Sequence, residues 1–246
     1  MASPLTEKLS SIYSPAYVQS LFHEMSATYG FINLITSFGF SARWRRQCVQ
    51  QISIGDGATV VDLMSGMGEL WPSLAERFYG GSIVGIDFCD AMCERSKQTA
   101  GRLSHRQIQI MECDALAGGL GDASVHAIVS SFGLKTLTPP QHTDLAREMA
   151  RMLAPGGRFS MLEISVPPSP MLRRFFMFYL KHVIPILGKL LMGNPDNYRM
   201  LGIYTTAFGD CRGFVDACAE AGLEAQFVSY FFGCATGVVG RKNAGT

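Results

Sequence analysis

The stretch that most constrains this chain is Val60–Leu70, which reads VVDLMSGMGEL. It begins with two β-branched apolar residues and an acidic residue, a pattern typical of the end of a buried strand. Gly66 and Gly68 then predict a turn into a helix. Because glycines let a ligand approach the backbone and a helix N-terminus offers free N–H groups, this stretch predicts a cofactor site at the carboxyl edge of a parallel sheet.

Alternating β and α segments surround this turn. Such alternation predicts a parallel sheet with helices on both faces and right-handed crossovers. A final helix and two strands predict an antiparallel closing pair. Strands are predicted at residues 59–63, 82–87, 108–113, 127–131, 158–164, 224–230 and from the turn at Gly233 to Val239, and helices at 68–78, 91–103, 139–153 and 211–221.

The chain is predicted to form one domain of 246 residues, without internal repeats. Its N-terminal region predicts helices at 14–23, around Asn33 and at 41–52, with Ser41 as the N-cap of the last. Within that last helix, the cluster 43–46 (RWRR) is interpreted as a solvated face with one buried Trp. The predicted parts are N-terminal helices (1–55), a cofactor-binding core (56–164), a helical lid (165–207) and a C-terminal helix with closing strands (208–246).

The composition of the chain limits the classes of function that it can have. A net charge of +1 argues against a nucleic-acid partner, which normally requires a strong basic excess. Hydrophobic residues make up 48% and charged residues 17% of the chain, which favours a lipophilic ligand or membrane contact. The seven cysteines form no CxxC pair and indicate reduced thiols in a cytoplasmic protein, and the N-terminus shows no signal-peptide pattern.

Three acidic residues close successive strands and divide one ligand between them. Asp62 is placed to meet a cationic amino group, Asp87 to accept from both ribose hydroxyls, and Asp114 to accept from an adenine amino group. Phe88 and Met92 would supply apolar walls for the adenine ring. A pyrophosphate would require more glycines and no adjacent carboxylate, so the pattern favours S-adenosylmethionine over a dinucleotide. Any one of these Asp residues, taken alone, is also compatible with a simple turn former.

These segments resemble class I S-adenosylmethionine-dependent methyltransferases, and in particular the UbiE/MenG quinone methyltransferase branch. The resemblance implies a Rossmann-like fold with a mostly parallel seven-stranded sheet, an antiparallel last strand and a helical lid. It also implies a prenylated benzoquinone or naphthoquinone substrate. The motifs that carry it are residues 29–33, 43–44, 60–70, 130–135 (SSFGLK), 151–165, 182–188 (HVIPILG) and 197–201 (NYRML).

The chain departs from that branch at the glycine turn and after the SFGL motif. Met64 and Met67 replace a small residue and a Thr, and Lys135-Thr136 replaces an Arg-Asn pair. The VDLMSGM turn resembles the rhodoquinone biosynthesis (RquA) offshoot. That resemblance implies replacement of a ubiquinone methoxy group by an amine, with S-adenosylmethionine as amino donor and a manganese-type ion assisting. We predict this reaction first, quinol C-methylation as the alternative, and a non-catalytic quinone- or cofactor-binding protein as the third possibility.

Candidate site residues follow from these patterns. Tyr29, Lys135 and His182 are the candidate catalytic groups, while core or solvated roles stay open for each. The metal ligands stay unknown, with contact by His182 or Glu163 left open, and His142 is interpreted as solvated. The predicted cofactor-binding residues are Asp62, Met64, Gly66, Met67, Gly68, Asp87, Phe88, Met92, Asp114, Ala115 and Ser130, and the predicted substrate-binding residues are Asn33, Phe132, Tyr198 and Arg199.

The predicted lid contains a strongly apolar run at residues 171–192 that also carries Arg173, Arg174, Lys181 and Lys189. These cations make it a poor membrane span. It fits a cover over an apolar pocket, an interfacial helix or a plain packing helix. We therefore expect a cytoplasmic protein that contacts the inner face of the membrane peripherally, and we leave a homodimer open.

Overall fold

A computed structural model describes residues 12–26, 37–103, 106–192 and 195–245 of the chain, and the side chains of all of these except 190–192 and 195–196. Its centre is a seven-stranded sheet in the order β3-β2-β1-β4-β5-β7-β6. Strand β7 runs antiparallel to both of its neighbours, and the other strands are parallel, as predicted. The strands are β1 Thr59–Leu63, β2 Ser82–Asp87, β3 Gln107–Glu112, β4 Val125–Ser131, β5 Leu153–Ile164, β6 Leu223–Tyr230 and β7 Ala235–Lys242.

Helices cover both faces of the sheet. Val60 and Val61 are adjacent in β1 and therefore point to opposite faces, where they join separate buried clusters. One cluster contains Trp71 and the other Phe214, so β1 is apolar on both sides. The described helices are α1 Pro15–Met25, α2 Phe40–Gln50, α3 Trp71–Arg77, α4 Asp90–Arg102, α5 Pro139–Met152, α6 Pro170–Phe178, α7 Ile184–Met192, α8 Pro195–Phe208 and α9 Arg212–Glu220.

The glycine turn shortens the predicted helix at 68–78, which begins only at Trp71. Gly66 and Gly68 both have left-handed backbones, with φ values of +56° and +77°. A Cβ on Gly68 would lie 2.4 Å from the Trp71 ring, so the turn requires glycine there for space as well as for conformation. The residues before Trp71 therefore form a loop at the carboxyl end of β1 instead of a first helical turn.

Three local predictions in the helices are wrong. Ser41 is not an N-cap, because Gly39 with φ +78° caps α2 and the Ser41 hydroxyl bonds that of Ser37 at 2.8 Å. Arg45 is not on a solvated face but buried. His142 is also buried: its Nε2 lies 2.8 Å from the carbonyl oxygen of Leu134, and burial lowers the pKa of its imidazole.

The predicted lid forms α6, a π-helical turn at Tyr179–Val183, α7 and α8. Its buried side chains, among them Leu180 and Tyr204, pack against Leu21 and Met25 of α1. Helix α6 has no buried residue. No helix in the described part of the chain is long and apolar enough to cross a membrane.

Candidate functional site

A cavity opens at the carboxyl ends of the central strands, where the sequence predicts the cofactor, and its empty space, including the part open to solvent, is about 910 Å³. It combines carboxylates with aliphatic and aromatic walls. Its lining contains eight of the predicted site residues: Met64, Gly66, Asp87, Phe88, Met92, Asp114, Ala115 and Phe132. The other lining residues are Tyr13, Pro15, Val18, Phe22, Arg45, Ser65, Glu69, Leu116, Ser131, Gly133, Thr136, Leu137 and Gln141.

Asp87 ties the end of β2 to the glycine turn. Its Oδ2 accepts a hydrogen bond from the Gly66 N–H at 2.8 Å, and its Oδ1 accepts one from the Cys89 N–H at 2.9 Å. Burial nevertheless raises the pKa of the Asp87 carboxyl to about 6, against the lowering effect of these amides. The carboxylate is thus held rigidly at the lining, in the position predicted for ribose recognition.

Asp62 lies beneath the turn and does not reach the lining. Its side chain is buried, and among the described residues neither carboxylate oxygen has a hydrogen-bond partner. Burial, reinforced by the nearby Glu69 carboxylate, raises the pKa of Asp62 well above its ordinary value, while Arg45 and the nearby indole N–H of Trp71 oppose this shift. A buried carboxylate without a partner is costly, so this position favours a cationic ligand group or a proton.

Arg45 and Glu69 form a charged pair in the lining that the sequence analysis missed. Arg45 Nη2 lies 3.6 Å from Glu69 Oε1, and that oxygen is buried without a hydrogen-bond partner among the described residues. The guanidinium also donates from Nε to Ser131 Oγ at 3.3 Å and stacks 5.0 Å from the Phe132 ring centre. Together with Asp62, the cluster contains two carboxylates and one cation. It therefore favours a ligand with both an ammonium and a carboxylate.

The adenine end of the predicted site is less enclosed. Asp114 is exposed at the cavity edge and accepts a hydrogen bond from the Leu116 N–H at 2.9 Å, which orients its carboxylate. Met92 and Ala115 are buried and Phe88 is half-buried, so this end offers apolar surface beside a single acceptor. That arrangement fits a flat heterocycle with an amino group.

Met64 and Phe132 line the cavity with left-handed backbones, at φ +55° and +67°. Bulky residues rarely adopt this conformation, and such strain is concentrated at functional sites. A Cβ on Gly133 would lie 2.6 Å from the Met64 sulfur, so the glycine leaves the space that the methionine fills. Met64 therefore occupies volume inside the cavity that a smaller residue would leave free.

Lys135 lies outside the lining. Its Nζ is 2.9 Å from Glu163 Oε1 and also donates to the carbonyl oxygen of Phe132, while its backbone N–H donates to Glu163 Oε2 at 3.0 Å. Both side chains are buried. The ion pair thus fixes the loop that carries Phe132, and the solvated role left open for Lys135 is excluded, while its catalytic role stays a prediction.

The family model for the ubiE/COQ5 methyltransferase family matches residues 10–242. The chain belongs to this family. Its relatives include demethylmenaquinone methyltransferases of Thermus thermophilus, 31% identical over 90% of this chain and all of the relative, and of Deinococcus radiodurans, 31% identical over 92% of each.

Solved structures agree with the fold. An S-adenosylmethionine-dependent methyltransferase of Methanococcus maripaludis superposes with a TM-score of 0.62 at 16% identity, covering 93% of this chain and 94% of that chain. A methyltransferase of Haloferax volcanii, solved with its Trm112 activator, gives 0.63 at 16% identity over 90% and 97%. The protein therefore has the class I methyltransferase fold, and its family is one of S-adenosylmethionine-dependent enzymes.

The remaining predicted residues of this family member lie away from the lining. Ser130 is buried and donates to the Leu63 carbonyl oxygen at 2.6 Å, and the Met67 carbonyl oxygen accepts from Thr99 at 2.8 Å. Gly68 packs on Trp71 behind the turn. These three residues shape the cavity from outside it, which leaves their cofactor-binding role a prediction.

The predicted lid contributes no lining residue among its described side chains. His182 is exposed with its ring centre 5.0 Å from that of Phe178, Tyr198 is buried against Gly188, and Arg199 is exposed. Tyr29 and Asn33 lie outside the described residues.

Helix α1 forms the cavity wall that the lid was predicted to form. Val18 and Phe22 of α1 line the cavity, and Leu21 packs on the lid helices. The spacing of apolar residues along α1 is the sequence pattern from which this cavity wall could have been predicted.

No metal centre is evident among the side chains that the structure describes. No group of three or more His, Cys, Asp or Glu residues there is close enough to hold an ion. The seven cysteines are free thiols. The described residues therefore do not provide a protein cage for Mn²⁺.

Proposed function

We propose that this protein modifies the ring of a prenylated quinone, using S-adenosylmethionine bound in the cavity. The proposal is supported mainly by the lining of the cavity, which is part polar and part apolar. The carboxylates of Asp87 and Asp114 lie beside an apolar wall formed by Phe132, Val18 and Phe22. The polar part matches a cofactor with several donors, and the apolar part matches a lipophilic ring. The curated relatives named above act on demethylmenaquinone, a prenylated ring of this kind.

Each end of the cofactor has a candidate partner. Asp114 would accept from the adenine amino group and Asp87 from the ribose hydroxyls. Glu69, with Asp62 behind it, would take the ammonium, and Arg45 would take the carboxylate. When bound, S-adenosylmethionine supplies an electrophilic methyl group on its sulfonium and a primary amine on its methionine arm. Which of the two faces the quinone decides the reaction.

C-methylation of a prenylated quinol is the first candidate, because it is the reaction type of the relatives. It requires a reduced ring, a base for the ring proton and the sulfonium methyl in line with a ring carbon. The chain's own residues would align the ring between the apolar walls and hold the cofactor by its carboxylate partners. The base is not assigned, since Lys135 is held by Glu163 outside the lining.

Amination of a quinone, as in the RquA offshoot, is the second candidate, and Met64 is the observation that favours it. The thioether fills space in the lining beside the glycine turn, where the cofactor's methionine arm would lie. Displacing that arm would turn its amino group, once deprotonated, toward the methoxy-bearing carbon of an oxidised ring. The methoxy group would leave as methanol, and the bond between the nitrogen and the cofactor's Cα would then have to break to leave the amine on the ring. The manganese-type ion implied for this reaction has no protein cage among the described residues.

A doubly labelled cofactor separates these reactions. The protein is incubated with S-adenosylmethionine carrying ¹⁵N on the amino group and ¹³C on the methyl group, and the quinones are analysed by mass spectrometry. Parallel reactions contain ubiquinone with Mn²⁺, ubiquinone without metal, and a demethylated quinol. Carbon label in the quinol product supports methylation, and nitrogen label in the quinone supports amination. Binding of both ligands without label transfer in any reaction would leave the third reading, a non-catalytic binding protein.

A further inference from the structure

Three phenylalanines outside the cavity are both exposed and strained. Phe38, Phe231 and Phe232 have left-handed backbones, with φ values of +50°, +41° and +54°. Their exposed fractions are 79%, 48% and 77%. Left-handed backbones are costly for bulky residues and cluster at functional sites. Three exposed phenylalanines with such backbones therefore indicate that their rings bind a partner at the protein surface.

We group these rings as the aromatic face, because the chain segment 38–40 belongs to two sets of ring contacts. The rings of Phe231 and Phe232 are 5.6 Å apart, and Phe231 is 4.5 Å from Phe40 of α2. Phe38, two residues before Phe40, lies 6.1 Å from Tyr179 in the π-helical turn. The aromatic face thus joins the turn between β6 and β7 to the start of α2 and the lid helices.

Neighbouring contacts hold the Phe231–Gly233 turn in place. A Cβ on Gly233 would lie 2.6 Å from the ring of Pro168, so the turn packs closely on the chain that precedes α6. Arg173 of α6 donates to the carbonyl oxygens of Pro167 and Pro168 at 2.9 and 3.1 Å. An exposed cation is therefore fixed to the same short segment on which the aromatic turn rests.

The charge of the segments that form the aromatic face has one sign. Residues 37–46, 165–192 and 226–234 contain no Asp or Glu. They contain Arg43, Arg45, Arg46, Arg173, Arg174, Lys181 and Lys189, of which all but Arg45 are exposed. Arg46 lines a groove with Glu76 of α3 and is not counted toward the charge of the aromatic face. A second copy of the chain would set cation against cation here. An anionic lipid surface would instead complement the charge while accepting the rings.

The aromatic face also lies close behind the cavity. Phe132 of the lining belongs to the same hydrophobic cluster as Trp44, against which Phe40 packs. Apolar side chains therefore continue from the cavity wall to the exposed rings. A substrate with a prenyl tail would benefit from this continuity, because its tail is most stable in a bilayer.

We propose that the aromatic face docks on an anionic phospholipid bilayer, with the rings of Phe38, Phe231 and Phe232 inserted at the interface. This proposal rests on the proposed function in one respect: the reason for docking is access to a prenylated substrate in the bilayer. Docking itself depends on the exposed rings and the cationic segments.

Vesicle flotation tests the docking. Wild-type protein is mixed with vesicles of phosphatidylcholine alone or with added phosphatidylglycerol, at low and high salt. We compare the F231N/F232N variant, since Asn tolerates the left-handed backbone and the fold should be kept or gain stability. Tyr79→Asn is the matched control, because Tyr79 is 63% exposed but lies beside the amino-terminal end of β1, at the opposite end of the sheet.

We expect the wild type and Y79N to float with the anionic vesicles in a salt-sensitive manner. We expect F231N/F232N to partition at least about tenfold more weakly, because two rings no longer leave water. Equal partitioning of F231N/F232N and the wild type, or no flotation of the wild type, would overturn the proposal. So would a wild-type dimer in gel filtration that F231N/F232N dissociates, because the face would then be an interface between copies.

Turnover separates this inference from the proposed function. On a short-tailed quinone in solution, F231N/F232N should react at the wild-type rate, whereas on a long-tailed quinone in vesicles it should be slower. If the wild type floats but modifies neither quinone, the docking stands and the proposed function fails. If it modifies both quinones without binding vesicles, the reverse holds.

Discussion

The Nζ of Lys135 lies 2.9 Å from Oε1 of Glu163, and both side chains are buried. Removing one member of such a pair leaves the other charge unpaired in the interior, which costs about 3–5 kcal/mol of unfolding free energy. We therefore expect Lys135→Met to be strongly destabilised. The double variant K135M/E163Q should recover most of the loss, because the neutral amide oxygen can still accept from a backbone N–H that Glu163 now satisfies. Urea unfolding of the single and double variants measures both effects.

The pair Arg147–Asp144 is the control for these variants, because its charged atoms are also close, at 3.3 Å, but both side chains are exposed to solvent. Arg147→Met should change the free energy of unfolding by less than about 1 kcal/mol. A different result would assign Lys135 another role. If K135M unfolded like the wild type but lost all turnover, the lysine would act in the reaction instead of supporting the loop of Phe132.

Arg45 is expected to govern cofactor affinity. Its guanidinium lines the cavity and opposes the charges of Glu69 and Asp62, so Arg45→Met removes both a donor and the charge compensation. Loss of a charged hydrogen bond of this kind corresponds to roughly 1.5–3 kcal/mol, or about a tenfold to hundredfold weaker affinity. Calorimetric titration with S-adenosylhomocysteine measures the change.

Arg46→Met is the matched control, since Arg46 is the next residue of α2 and is exposed. It should bind S-adenosylhomocysteine as the wild type does. An analogue that lacks the carboxylate provides the sharper comparison. Wild type and R45M should bind that analogue with similar affinity, and an undiminished preference of R45M for the carboxylate form would refute the assignment.

Met64 and Met67 were treated as equivalent in the sequence, but the structure separates them. Met64 lines the cavity, whereas Met67 does not. We expect Met64→Gly to change the ratio of ¹⁵N to ¹³C transferred from the labelled cofactor, and Met67→Thr to change it far less. If amination is the wild-type reaction and M64G/M67T retains it fully, the idea that these residues redirect the cofactor is wrong.

The parts of the fold that follow from local pattern were predictable from the sequence. The boundaries of β1 and β2, the glycine turn and the closing strand pair depend on short-range periodicity and on glycine chemistry. The buried state of Arg45 was not predictable in this way, because it depends on Glu69, which belongs to another segment. The same reason applies to Lys135, whose partner Glu163 is 28 residues away, and to α1, which lines the cavity and also packs on the distant lid helices.

Asp87 should make both stability and cofactor binding depend on pH. Burial raises the pKa of its carboxyl from 3.8 to about 6 in the folded chain, so the folded state binds more protons than the unfolded state between these values. The contribution of Asp87 to the free energy of unfolding therefore decreases as pH rises from about 4 to about 6, and is constant above. Asp62 shifts in the same direction.

Cofactor affinity should increase as pH rises, whereas the stability contribution of Asp87 decreases. The reason is that the ribose hydroxyls donate to the ionised carboxylate of Asp87. We expect the dissociation constant of S-adenosylhomocysteine to increase about tenfold for each pH unit below 6 and to level off above it. Asp87→Asn should bind weakly at every pH and lose this profile, while Asp90→Asn, which changes an exposed acid three residues away, should keep it. A wild-type profile that stays flat between pH 5 and about pH 7 would show that Asp87 does not ionise as its surroundings imply.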